Sequence, residues 1–174
     1  MNPPPVRRVT VIQGHSVLEF LSFTFDWTKS VQYVSDMDID SDGVGDDGKP
    51  NNIYHDPYYQ PDTSLHYNGK PLNAQSDKYV VINPKVLTGV KGVVLGCQAV
   101  AVDLRSGKWS FAVVGDIGPS SKDGEASCAL ADAIGINPNA NSGGVSTPDI
   151  FYAIWPGLAA VVDGKHYQLQ PYGN

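Results

Sequence analysis

Only two cysteines, Cys97 and Cys128, occur in the 174 residues, too few for a disulfide framework, and no Cys/His spacing of a zinc site is present. Nowhere does a run approach the roughly 18 apolar residues that a membrane-crossing helix requires. The opening MNPPPVRR has no apolar stretch of the kind a signal peptide carries. Basic residues are scarce too. Twelve Lys and Arg stand against 18 Asp and Glu, for a net charge of -6 and a pI near 4.9. Nucleic acid and anionic membrane are therefore excluded as expected partners, since an acidic surface repels both. There is no phosphate loop, no GxGxxG and no arguable Ser-His-Asp or Cys-His arrangement, so no cofactor is expected. Internal repeats and low-complexity tracts are also lacking.

What is there suits one compact domain spanning residues 1–174. Hydrophobic residues make up 41% and charged ones only 17%, enough apolar material for a packed core. Eighteen glycines, 13 prolines and nine tyrosines favour short strands joined by turns over a helical bundle. Residues 6–27 read as one or two strands and VQYVSDMDID as another. KYVVINP is a strand stopped by Pro84, and residues 92–116 form a hairpin turning at Arg105-Ser106-Gly107-Lys108. DIFYAIWPG and AAVVDGKHYQLQ supply closing strands, with a turn at Asp163-Gly164. Residues 41–76 lack periodicity, and so long a loop in a compact domain is often functional. The best helical pattern is EASCALADAIGI, from Glu125 to the stop at Gly135. A mostly-β barrel of six to eight strands, with one short helix, buries such strands and protects their edges.

Asp116 closes an apolar strand and Glu125 follows nine residues later, across a glycine-containing loop. Such a pair can perform general acid and base catalysis. Read as the start of a helix, Glu125 is expected to be held ionised by the helix dipole. Asp116, against Val113 and Val114, is expected to be protonated by desolvation. The acid run is the second constellation. Asp36, Asp38 and Asp40 alternate with Met37 and Ile39, so in an extended chain the three carboxylates share one face. They suit a cationic ligand; calcium binding and a merely solvated face are the alternatives, and the EF-hand pattern fails for want of a Glu at its twelfth position. Tyr58 and Tyr59, in the long loop, can pack on apolar ring faces, and His55 is a candidate polar contact. Trp109 and Trp155 read as core residues, and His15, His66 and His166 as incidental.

GDIGPSSKDGEAS (115–127) resembles the catalytic region of glycoside hydrolase family 75, the fungal-type chitosanases. The resemblance extends to YVSDMDIDSDG (33–43), PYYQPDTSLHYNGKPLNAQSDKYVVINP (57–84) and VVLGCQAVAVDLRSGKWSFAVVGD, covering about residues 31–136. It implies a double-psi β-barrel, with the helix read from the pattern following the catalytic loop. The implied activity is endo-hydrolysis of β-1,4 glucosamine links in chitosan with inversion, with Asp116 and Glu125 as the two carboxylates and no metal. Substrate contacts are then expected from Asp36, Asp38, Asp40, His55, Tyr58 and Tyr59. A polymeric substrate implies a secreted monomer. Where fungal members carry a cysteine near the acid run, this chain has Ser41. Two competing readings are a non-catalytic, expansin-like polysaccharide-binding barrel and a peptidoglycan-directed lytic enzyme.

Overall fold

The computed structural model describes residues 25–171. Of the strands expected over residues 6–27, all but the last three residues lie outside that range. Those three lead into a 3-10 turn at Trp27–Lys29, capped by the Asp26 carboxylate on the Thr28 N–H.

Six strands close into a barrel, as expected. They are β1 (Val31–Asp40), β4 (Tyr79–Ile82), β5 (Cys97–Asp103), β6 (Trp109–Ile117), β7 (Glu125–Ser127) and β8 (Val145–Ala159), in the spatial order β1-β7-β4-β6-β5-β8 with β8 pairing back onto β1. β1 and β7 run parallel, as do β4 and β6, while the other neighbours are antiparallel. Two parallel pairs inside an otherwise antiparallel closed barrel agree with the double-psi expectation. The small strands β2 (His66–Tyr67) and β3 (Lys70–Pro71) form a hairpin inside the long loop, and β9 (Val161–Val162) pairs with β10 (Lys165–His166).

Strand alternation explains the two buried clusters. Ala99, Ala101, Ala112, Tyr152 and Ile154 are matched in register across β6, β5 and β8 and point into the barrel. Their sequence neighbours Val100, Val102, Phe151, Ala153 and Trp155 point outward, where Phe25 and Trp27 cover them. β5 is thus buried on both faces, which is why it reads as an unbroken apolar run. Each bulky side chain removed from water this way contributes about 1.5–3 kcal/mol.

Two short helices accompany the barrel, one more than expected: α1 (Pro84–Gly89) and α2 (Cys128–Ala133). α1 starts where Asn83 accepts from the Lys85 N–H and Pro84 occupies the first turn. α2 begins only at Cys128, with Ser127 as its cap. Glu125 is therefore not at a helix start. It opens β7, paired with Asp38, and the electrostatic support expected from a helix dipole does not exist.

A candidate active site on the barrel wall

The position of Asp116 depends on a bulge. Along β6, Ala112 and Val114 face the barrel interior, and strict alternation would send Asp116 there as well. Between Val80 and Val81 of β4 the register slips by one residue, so that Val80 opposes Val114 but Val81 opposes Asp116. Gly115 is the extra residue. A Cβ there would come within 2.6 Å of Tyr79 Cβ and 2.7 Å of Leu72 Cδ1, so glycine alone fits. The slip turns Asp116 outward beside Val81.

The same row continues across the sheet. Val80 opposes Ala126 on β7, which sets Glu125 against Val81, and Asp38 opposes Glu125 on β1. Asp116, Val81, Glu125 and Asp38 thus form one line on the outer wall, and all four border a trough of about 960 Å³. With one strand between them, the Cα atoms of Asp116 and Glu125 stand about 10 Å apart, from a strand spacing near 4.8 Å.

Loops raise the walls of this trough. The 41–76 segment is pinned to the barrel by Leu65 N–H on the Gly115 carbonyl, and Val44 N–H on the Leu72 carbonyl ties the segment to itself. The Ser41 hydroxyl donates to Asp56. This segment contributes Asp42, Asp56, Tyr58, Gln60, Asp62 and Ser64 to the lining; Ala140, Asn141 and Gly143 stand on the other side. The Asn141 amide donates to the Tyr54 carbonyl, joining the two loops. Seven carboxylates face the trough (Asp38, Asp40, Asp42, Asp56, Asp62, Asp116 and Glu125), with Lys122 paired to Asp38 at 2.5 Å.

The carboxylates differ sharply in their surroundings. Asp116 Oδ1 accepts three hydrogen bonds: from Ser64 N–H at 2.9 Å, Ser64 Oγ at 2.6 Å and Ile117 N–H at 2.8 Å. Burial raises its pKa, and those three donors oppose the rise by favouring the anion. Glu125 receives no hydrogen bond among the described residues. Its carboxyl packs on Gly118, where a Cβ would meet Oε2 at 2.9 Å. Burial pushes Glu125 up to about 7, opposed by Lys122 and reinforced by Asp38, Asp116 and Asp42.

Asp40 is held well above the usual carboxylate range by burial and by Asp42, Asp116 and Glu125, while Asp42 N–H donates to it. Its Oδ2 accepts from Tyr79 Oη at 3.2 Å. Burial lifts Asp42 to about 6. Oxygens of Asp40, Asp42 and Asp116 come within 4.8 Å of one another, close enough for their ionisations to be coupled or to surround a cation.

Of the expected contacts, Asp38, Asp40 and Tyr58 border the trough, and Tyr58 is 86% exposed at its rim. Asp36, His55 and Tyr59 do not border it. Asp36 falls where the β1–β8 register slips, so the alternation that was to align it with Asp38 breaks; it accepts from Ser35 Oγ. Tyr59 is a strut, donating from Oη to the Gly43 carbonyl and accepting from Asn51 N–H. His55 is an exposed turn residue in the left-handed region, at φ 53°. Ser64, Asp62 and Lys122 are additions to the site. Nothing in the pattern around Ser64 announces its role 52 residues ahead of Asp116; Lys122, by contrast, sits inside the loop joining the two carboxylates.

Cutting a glycosidic bond takes one group that gives a proton to the leaving oxygen and another that takes one from water. A trough holding a desolvated carboxyl and a multiply hydrogen-bonded one, a strand apart, offers the two groups a glycoside hydrolase needs. The family described as fungal chitosanase of glycosyl hydrolase group 75 matches residues 37–171, and the chain belongs to it. Among curated proteins no relative matches. The protein is thus a chitosanase-type glycoside hydrolase, and its polysaccharide substrate fits the acidic lining.

Proposed function

We propose that this chain is an endo-acting chitosanase that hydrolyses β-1,4 links between glucosamine units with inversion, Glu125 serving as general acid and Asp116 as general base. The roles are opposite to those expected from a helix-borne Glu125. A carboxyl titrating near 7 keeps its proton at the mildly acidic pH where glucosamine is cationic, and can pass it to the leaving oxygen. Asp116, with Oδ1 held by Ser64 and Ile117, keeps Oδ2 to take a proton from water.

The observation that carries this reading is the row Asp116–Val81–Glu125. A full strand between the carboxylates favours inversion, which needs about 6.5–9.5 Å between carboxyl groups to admit a water, over the tighter spacing of retaining enzymes. Seven acids along an open trough suit ammonium groups of a polymer running through it, which supports endo action. Asp38, Asp40 and Tyr58 are the proposed substrate contacts, the tyrosine stacking on a sugar face. Neither cofactor nor metal takes part in this scheme, and the enzyme acts as a secreted, single-domain monomer.

Proton NMR of chitosan oligomers during digestion tests the proposal. The α-anomer is expected to appear first, together with new internal cleavages. Initial release of the β-anomer, or release of single sugars from chain ends only, overturns the mechanism. A protein that liberates no reducing ends overturns the activity.

A further inference from the structure

Among the described residues lining the trough, Lys122 is the only cation. Its ammonium lies 2.5 Å from Asp38 Oδ2, and Asp38 is the register partner of Glu125. The lysine does not reach this place on a free loop. Asn83, a buried side chain, donates from Nδ2 to the Ser120 carbonyl, the Lys122 carbonyl and Asp123 Oδ1. At the loop's other end Gly124 lies flat on β1, where a Cβ would fall 2.0 Å from the Asp36 carbonyl oxygen; its own carbonyl accepts the Asp38 N–H. The loop is thus fastened to the very strand that carries Asp38, and to the cap of α1.

We propose that Lys122 is the positioning residue of the general acid: its ammonium cancels the charge of Asp38, the carboxylate seated beside Glu125 on the neighbouring strand. The inference rests on the reading of Glu125 as acid. The other groups that act electrostatically with Glu125 are Asp40 of β1, Asp42 beyond it, Asp116 of β6 and, from inside the barrel, Tyr152 of β8, and none of them is cationic. Without Lys122 an ionised Asp38 would stand next to Glu125, and the one opposing positive charge would be lost. Both changes make Glu125 hold its proton harder. An acid that holds too hard delivers its proton poorly to the departing sugar.

The chain contains only two glutamates, Glu19 and Glu125, so a sample labelled with carbon-13 at glutamate carboxyls shows two titrating signals. In Lys122→Met the Glu125 midpoint is expected to rise by about one pH unit or more, the usual effect of losing an adjacent opposite charge. Lys122→Arg should leave it in place. Asp38→Asn alone should lower it, and Asp38→Asn with Lys122→Met should return it most of the way to the unmodified value. The alkaline limb of kcat/KM on chitosan should move with each midpoint. An unchanged midpoint in Lys122→Met overturns the proposal, as does an equal shift in Lys122→Arg. Since the titration needs no turnover, a protein inactive on chitosan sinks the hydrolase reading while the role of Lys122 is still decided; should the methionine variant not fold, Asp38→Asn and Lys122→Arg decide it.

Discussion

The two flanks of the trough are built on opposite principles. On the β6 flank, Asp116 is gripped by three donors that stabilise its charge. On the β7 flank, Glu125 lies against the Gly118 backbone and depends on Lys122 for its only opposing charge. The donors on one flank favour the charged form of its carboxyl, and their absence on the other leaves burial to favour the neutral form, although both carboxyls sit in one row of one sheet. Directed hydrogen bonds, rather than burial alone, separate two groups that burial pushes the same way.

Removing either carboxyl breaks the comparison outright. Asp116→Asn and Glu125→Gln should each lower kcat by about 10³-fold or more in a reducing-end assay, since each removes one proton-transfer partner. Comparable activity in either variant would expose a different acid or base, with Asp40 and Asp42 the nearest candidates. Ser64→Ala tests the grip itself. Losing the hydroxyl donor should lower kcat/KM about tenfold and move the acid limb of the pH profile upward, because a hydrogen bond to a charged group contributes about 1.5–3 kcal/mol. The alkaline limb, set by Glu125, should stay near 7.

Stability sharpens the contrast further. Burial puts the folded pKa of Glu125 at about 7 against an ordinary 4.5, and that of Asp42 at about 6 against 3.8. Groups raised on folding stabilise fully below their unfolded values, and that stabilisation is lost as the pH climbs through the folded ones. The protein should therefore melt at a lower temperature at pH 8 than at pH 5, by the equivalent of roughly 1–3 kcal/mol. In Glu125→Gln much of that difference should vanish, leaving a protein more stable at pH 8 but inactive. The smallest effect is expected at the rim, where Tyr58→Ala should raise KM a few-fold with little change in kcat.

Much of the barrel was legible because its central strands are buried on both sides. Cys97–Asp103 and Trp109–Ile117 are apolar runs joined by a glycine turn, and they fold where the pattern puts them. The Glu125 segment misleads for a physical reason. EASCALADA is rich in good helix formers, yet Glu125–Ser127 lies between β1 and β4, and two ladders outweigh a propensity difference of tenths of a kcal/mol per residue. The hairpin at Asn68-Gly69 carries a turn signature that the loop's polarity obscured. Asn83-Pro84 reads as a strand stop, though the same dipeptide is a helix start. The two acids can be picked out by type and spacing. Their opposed surroundings cannot, since Ser64 and Gly118 meet them only through the tertiary fold.

The slipped register at Gly115 also makes chain length, and not only residue identity, a determinant of chemistry. Inserting one residue opposite it, between Val80 and Val81, would let β6 zip onto β4 without interruption and swing Asp116 into the apolar lumen, where no sugar reaches it. A cousin longer by this one position could keep the architecture and the acidic furrow and still bind polymer without ever cleaving it.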